Sequence, residues 1–214
     1  MSEPVKRARP YDASRRQEQA RRTRARILEA ARRRFLEEGY AATTMGGLAA
    51  DVDVSVETVY KAFGNKAGIL KALFDVAIVG DDEPVPLHER DMVARIEAEA
   101  DGPTKLAIYG DAYAVRAARA VPVELLAREA AASDAGAADV WRQLDEERAT
   151  GMTAFATHLQ RSKVLRRGVT LADARDVLLL FTSPHVYEEL VLKRGWSVER
   201  FGRWVTQQLV AALL

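Results

Sequence analysis

The chain of 214 residues is 48% hydrophobic with a formal net charge of +1 at pH 7, which supplies material for a sizeable core and excludes an intrinsically disordered chain. It has no cysteine, so disulfides, thiolate metal sites and a cysteine nucleophile are excluded; it also lacks any run of about 18 uncharged apolar residues, the minimum for a bilayer-spanning helix. The N-terminal stretch has no apolar segment of the secretory kind, so a soluble, cytoplasmic protein with no membrane partner is expected.

Charge is concentrated at one end. Up to Arg34 there are twelve Lys and Arg against four acidic residues, whereas residues 81–214 carry 17 basic and 21 acidic side chains. Such a basic block suits a polyanion, because each neutralised phosphate releases condensed counterions. A solvated helix face and a membrane-surface helix are the rivals, the latter weakened by the few bulky apolar residues before Ile27.

Residues 1–15, with Pro4, Pro10 and scattered charge, read as a flexible basic arm. A first helix is expected from about Arg16 to Glu38, its apolar face formed by Ile27, Leu28, Ala31 and Phe35. Gly39 ends it in the left-handed conformation, with Tyr40 folding back on Phe35. Thr43-Thr44 offers an N-cap for a second helix to about Val52, with Leu48 and Ala49 inward; Gly46 and Gly47 weaken it, each by about 1 kcal/mol relative to alanine.

The third helix has Ser55 as N-cap and Val54 placed to staple onto Val59. Val59, Ala62 and Phe63 fall inward, leaving Val56, Glu57, Tyr60 and Lys61 exposed beside Thr58. Gly64-Asn65 closes this helix, and Asn65 caps a fourth, Lys66 to about Val79, with Ile69, Leu70, Leu73 and Ala77 as its apolar stripe. After a break at Gly80 to Pro86 the pattern stays helical: roughly Leu87–Ala100, Lys105–Val121, Val123–Ala132, Ala137–Gln160, Leu171–Lys193 and Ser197–Leu214. Pro122 separates two of these, and Pro184 should kink or interrupt another. No strand pattern and no internal repeat appear, so the fold class is all-α.

Two short helices joined across Val52-Asp53-Val54 have the spacing of a helix-turn-helix, in which the second lies in the major groove of DNA. Tyr60 and Lys61 suit phosphate contacts, Val56 and the Thr58 methyl can meet a thymine methyl, and Glu57 can accept from cytosine N4. Lys66 and the first N–H groups of the fourth helix form a second phosphate site. Glycine-rich phosphate loops, nucleophile elbows and paired-histidine zinc motifs are absent, and His88, His158 and His185 lack metal-ligand spacing. No enzyme, cofactor or metal is therefore expected.

The run Thr23 to Asp75 resembles the DNA-binding domain of TetR-type transcriptional regulators. The resemblance rests on Ile27 to Ala31, Phe35 with Gly39-Tyr40, Thr43-Thr44, Leu48-Ala49, Val54-Ser55, Thr58-Val59-Tyr60, Phe63, and Asn65-Lys66 with Leu70. It departs at Asp53, where the family usually has glycine, although aspartate tolerates a left-handed backbone better than most residues. The resemblance implies Thr44, Tyr60 and Lys66 as phosphate contacts and Val56, Glu57, Thr58 and Lys61 as the base-reading face. Ser55 at the cap, and Arg22 and Arg24 of a basic segment that can enter a flanking minor groove, complete the expected DNA-binding set.

The resemblance also implies a helix-turn-helix domain over residues 16–79, including a linking helix, and a helical-bundle effector-binding and dimerisation domain over 80–214. Met92, Ile96, Ile108, Tyr109, Tyr113, Leu125, Trp141, Met152, Phe155 and His158 lie on the helices that usually surround such a pocket; as this is also ordinary core composition, fewer than half are expected to line a cavity. A homodimer is expected through the last two helices, on Val177, Leu178, Phe181, Leu190 and Val191 with Phe201, Trp204, Val205, Leu209 and Leu213, or else these close the monomer's own core. The expected function is a repressor that binds palindromic operator DNA as a dimer and is released by a small, mainly apolar organic effector. The alternative is an architectural or weakly specific DNA-binding protein without an effector.

Overall fold

A computed structural model describes residues 11–80 and 91–214, and among these there are helices and no strand. They are α1 (Tyr11–Glu37), α2 (Met45–Asp51), α3 (Val56–Phe63), α4 (Lys66–Val79), α5 (Asp91–Ala98), α6 (Gly102–Ala130), α7 (Ala135–Arg161), α8 (Leu171–Phe181), α9 (Pro184–Tyr187) and α10 (Val198–Leu213), with a π-helical stretch Glu188–Lys193 continuing α9. The chain divides into two compact units at Ile69 and Leu70, within α4, rather than after Val79. The expected arm up to residue 10, the loop from Asp81 to Pro86, His88 and the expected start of the fifth helix at Leu87 lie outside the described residues.

In the first unit, α1 begins at Tyr11, earlier than the apolar period suggests. Arginine, glutamine, glutamate and alanine dominate residues 12–22, and their helix propensity extends the helix without an apolar face. Ile27, Ala31, Phe35, Leu48, Val59 and Ile69 form the buried interior, and Tyr40 packs back on Phe35 with ring centroids 5.3 Å apart. The caps fall where the sequence puts them: Thr44 Oγ1 accepts from Gly47 N (3.0 Å), Ser55 Oγ from Thr58 N (3.2 Å), and Asn65 Oδ1 from Gly68 N (2.8 Å). Gly68 has a role the sequence does not announce, because a Cβ there would overlap the Phe63 carbonyl oxygen at the α3–α4 corner.

The second unit is built on two long helices. Pro122 does not separate two helices as expected but sits inside α6. Its missing N–H costs a hydrogen bond, which the burial of Ala120, Val121, Val123, Leu126 and Ala127 on either side offsets. Pro184, by contrast, does interrupt the long helix: Thr182 ends α8, and Ser183 caps α9 with proline in its first turn. Leu178, Phe201, Val205, Leu209 and Leu213 are wholly buried within this unit, so half of the apolar set expected at a dimer interface closes the monomer's own core. Phe201 lies at its centre, 5.1 Å from the Tyr187 ring, 6.0 Å from Tyr113 and 6.3 Å from Trp204.

Candidate functional site

The turn between α2 and α3 depends on Asp53, whose φ of 52° places it in the left-handed region where the resemblance calls for glycine. Backbone N–H groups of Asp53 and Val54 donate to the carbonyls of Ala50 (3.3 Å) and Ala49 (3.1 Å), which closes the turn and aims α3. Val59 of α3 is buried, while Val56, Glu57, Tyr60 and Lys61 face solvent; Tyr60 is 50% exposed and Val56 39%. This surface, apolar at Val56, hydroxylic at Tyr60 and charged at Glu57 and Lys61, is left uncovered by the described residues.

Thr58 is less available than its neighbours. It is half-buried, and its Oγ1 lies 3.1 Å from Ser55 Oγ within the cap. The Glu57 carboxylate, accepting from its own backbone N–H and from Ser55, is held below the usual carboxylate range and stays charged as an acceptor. Thr44 is exposed, though its hydroxyl is also the α2 cap. Lys66 Nζ donates to the Tyr40 carbonyl (2.8 Å) and stands 4.2 Å from the centre of the Tyr40 ring, which fixes it over the start of α4 with ammonium protons to spare.

Part of the arginine block is turned to the protein itself. Arg24 Nη1 donates to the Ala62 carbonyl (2.7 Å) and its guanidinium sits 4.2 Å from the Phe63 ring centre, so it fastens the end of α3 to α1. Arg26 Nη2 donates to the Val52 carbonyl (2.6 Å). Arg34 clasps Asp51 with Nε (2.6 Å) and Nη2 (2.8 Å), and Arg33 reaches the same carboxylate at 3.1 Å. These cations hold the Asp51 carboxyl below its ordinary range. Arg21 and Arg22 pair with Glu18. Several charges read as a polyanion footprint thus tie α2 and α3 to their scaffold.

In the second unit a cavity of about 520 Å³ opens among α4, α5, α6 and α7. Met92, Ile96, Tyr109, Tyr113, Met152, Phe155 and His158 line it, more than expected; Trp141, Ile108 and Leu125 do not. Trp141 is half-buried on α7, one turn before the lining Leu144, and does not itself reach the cavity. Apolar periodicity cannot separate a cavity wall from a core, which is why Phe74, Ile78 and Leu144 went unnoticed as lining residues.

The charged lining residues were missed as well, because an acidic or basic residue on a long helix ordinarily reads as surface. Glu124 is 7% exposed, and burial pushes its carboxyl up to about 7, against the pull of Arg148 and Arg116 and with that of Asp145. Burial likewise raises the Tyr113 and Tyr109 phenols. At the α5 side, buried Lys105 donates to the Ile96 carbonyl (2.8 Å) and lies 2.6 Å from His158 Nε2. Desolvation and the charge of Lys105 both push His158 down, so it lines the cavity as a neutral imidazole. His185 is exposed, 3.8 Å from Glu188.

Residues 27–73 match the family described as bacterial regulatory proteins, tetR family. The HTH-type transcriptional regulator TtgR of Pseudomonas putida is 43% identical over 58 residues, which are 27% of this chain and 28% of that protein. The match therefore spans little more than a quarter of that relative's length. Among solved structures, a TetR-family transcriptional regulator from Rhodococcus sp. superposes with a TM-score of 0.68 at 12% identity, over 90% of this chain and 98% of that one. The regulator FadR from Bacillus subtilis, solved with stearoyl-CoA, superposes with a TM-score of 0.67 at 20% identity, over 89% of this chain and 99% of that one. At these identities the structures establish the fold, a helix-turn-helix domain followed by a helical domain. That fold extends over nearly the whole length of the chain, and residues 27–73 carry the N-terminal sequence of the tetR family of bacterial regulatory proteins.

Proposed function

We propose that this chain is a ligand-responsive transcriptional repressor, which binds palindromic operator DNA as a homodimer through α2 and α3 and is released when a small molecule fills the cavity of the second unit. The observation that carries this reading is the bare outer face of α3, capped by Ser55, aimed by the left-handed Asp53 and presenting Val56, Glu57, Tyr60 and Lys61 to solvent. A helix held this way can enter a major groove with its first turn against base edges. The FadR structure, solved in complex with stearoyl-CoA, supports a ligand for a protein of this fold.

The dimer forms on what the core leaves uncovered, the outer faces of α8 and α10, where Leu180 is 60% exposed and Val177 and Trp204 are half-buried. Two recognition helices then meet successive major-groove faces about 34–36 Å apart. Since α4 carries Lys66 at its start and Phe74 and Ile78 in the cavity wall, a ligand that favours one setting of α4 changes that separation. Its differential affinity for the two settings is the coupling energy.

A binding selection on random duplex DNA tests this. An enriched palindrome is the expected result; retention of all sequences alike would favour an architectural protein instead. Tyr60→Ala is expected to weaken binding roughly tenfold whatever the sequence, whereas Glu57→Ala changes the preference at one base pair per half-site.

A further inference from the structure

Glu124 differs from every other charged group around the cavity. It sits on α6, two residues past Pro122, lines the cavity, and is 7% exposed. Among the described residues its carboxyl makes no hydrogen bond and no ion pair, although cations stand nearby. Arg148 is committed to Asp145 Oδ1 (2.6 Å) and to the Leu179 carbonyl (3.1 Å). Arg116 lies with its guanidinium 5.5 Å from the Tyr113 ring centre. Glu147, also in the lining, is engaged by Lys71 at 3.2 Å.

An unpartnered buried carboxyl is costly in either state: charged it lacks a counter-ion, and neutral it lacks an acceptor for its proton. A ligand removes that cost if it brings both a positive charge and N–H donors. A ligand anion would meet the carboxyl as a like charge or force it to stay protonated, and a neutral apolar ligand would leave it unsatisfied. Tyr109, Tyr113 and Phe155 also line the cavity, and Glu124 is near enough to Tyr113 to add to burial in raising its phenol; aromatic rings favour a cation by their quadrupoles and an apolar body by their surfaces.

We propose that the cavity takes an amphipathic ligand carrying a protonated amine or amidine, whose nitrogen pairs with Glu124 while its apolar body lies against Phe155, Met152 and Phe74. This rests on the reading of the cavity as the effector site and replaces a mainly apolar effector with a basic one. With the carboxyl near half-ionised at pH 7, pairing draws it to the carboxylate. The charged groups that face it are Arg116 on its own helix and Arg148 and Asp145 on α7.

The test uses three probes of matched shape on the full chain: 4-phenylbutylamine, 4-phenylbutan-1-ol and 4-phenylbutanoate, titrated by calorimetry at pH 7. The amine is expected to bind about tenfold more tightly than the alcohol, with the butanoate weakest. In buffers of different ionisation enthalpy, amine binding should release about half a proton, as follows from a carboxyl near pH 7. Glu124→Gln should bring the amine to the alcohol's affinity, leave the alcohol within about twofold, and abolish the proton release. Should that variant fail to fold, the ranking of the three probes on the natural chain still decides. Alcohol binding without an amine preference, or butanoate binding tightest, overturns the proposal and leaves the cavity as a ligand site. Failure of all three probes to bind overturns both.

Discussion

The helices α2 and α3 have seven and eight residues, while α6 and α7 have 29 and 27. An isolated helix of the shorter kind is unstable in water, since its few hydrogen bonds do not offset the cost of nucleation. The first unit makes up the deficit with polar fastenings at helix ends: Thr44, Ser55 and Asn65 as caps, and Arg24, Arg26 and Arg34 reaching from α1 to Ala62, Val52 and Asp51. The long helices of the second unit instead bury apolar surface along their length, and this leaves room for a hole and for a carboxyl inside it. Reading DNA needs a fixed surface at low cost in residues; holding a ligand needs a core that tolerates a cavity.

Removing packing from the second unit should have the largest effect. Phe201→Ala deletes a fully buried ring and is expected to cost about 3–5 kcal/mol. Guanidinium denaturation followed by tryptophan fluorescence reads this directly, because Trp141, Trp196 and Trp204 all lie in that unit. A cost under about 1 kcal/mol would break the comparison.

Next is the buried carboxyl. The folded-state pKa of Glu124 is raised from 4.5 to about 7, so the stability it permits is fully present below pH 4.5 and is lost as pH rises through 7. Glu124→Gln is therefore expected to be more stable than the natural chain at pH 8, by about 3 kcal/mol at most, with the gap closing towards pH 4.5. Denaturation curves at several pH values decide it, and a variant less stable at pH 8 would contradict it.

In the first unit the expected effects are smaller and local. Gly68→Ala forces a Cβ into the Phe63 carbonyl and should cost about 1–3 kcal/mol. Ser55→Ala removes the α3 cap for about 1 kcal/mol, and hydrogen exchange should show the loss confined to α3 and its turn. Gly46→Ala is expected to act in the opposite sense, stabilising by up to about 1 kcal/mol, because the site is helical and a Cβ there meets nothing within 4 Å. If Gly46→Ala and Gly68→Ala gave the same sign, α2 and the α3–α4 corner would not be built as described.

Much of the first unit was legible because its structure is written in adjacent residues. A cap needs an oxygen near an N–H three positions on, a glycine stop needs one residue, and the Phe35–Tyr40 contact spans a single turn. The extent of α1 was not legible from its apolar face, since propensity alone carries the helix back to Tyr11. Nor were the partners of Arg24 and Arg34, which lie 38 and 17 positions away and look in the sequence like charge offered to DNA.

By itself the sequence determined the all-helical class, the capped helix-turn-helix and the exposed face of α3, because these follow from propensity, period and side-chain-to-backbone bonds a few residues long. Only the tertiary structure decided that α6 runs through Pro122, which arginines serve the scaffold, and that Glu124 stands alone inside a cavity. Burial and pairing are sums over neighbours distant in the chain, and a glutamate on a helix reads the same whether its neighbours are water or a wall of tyrosines.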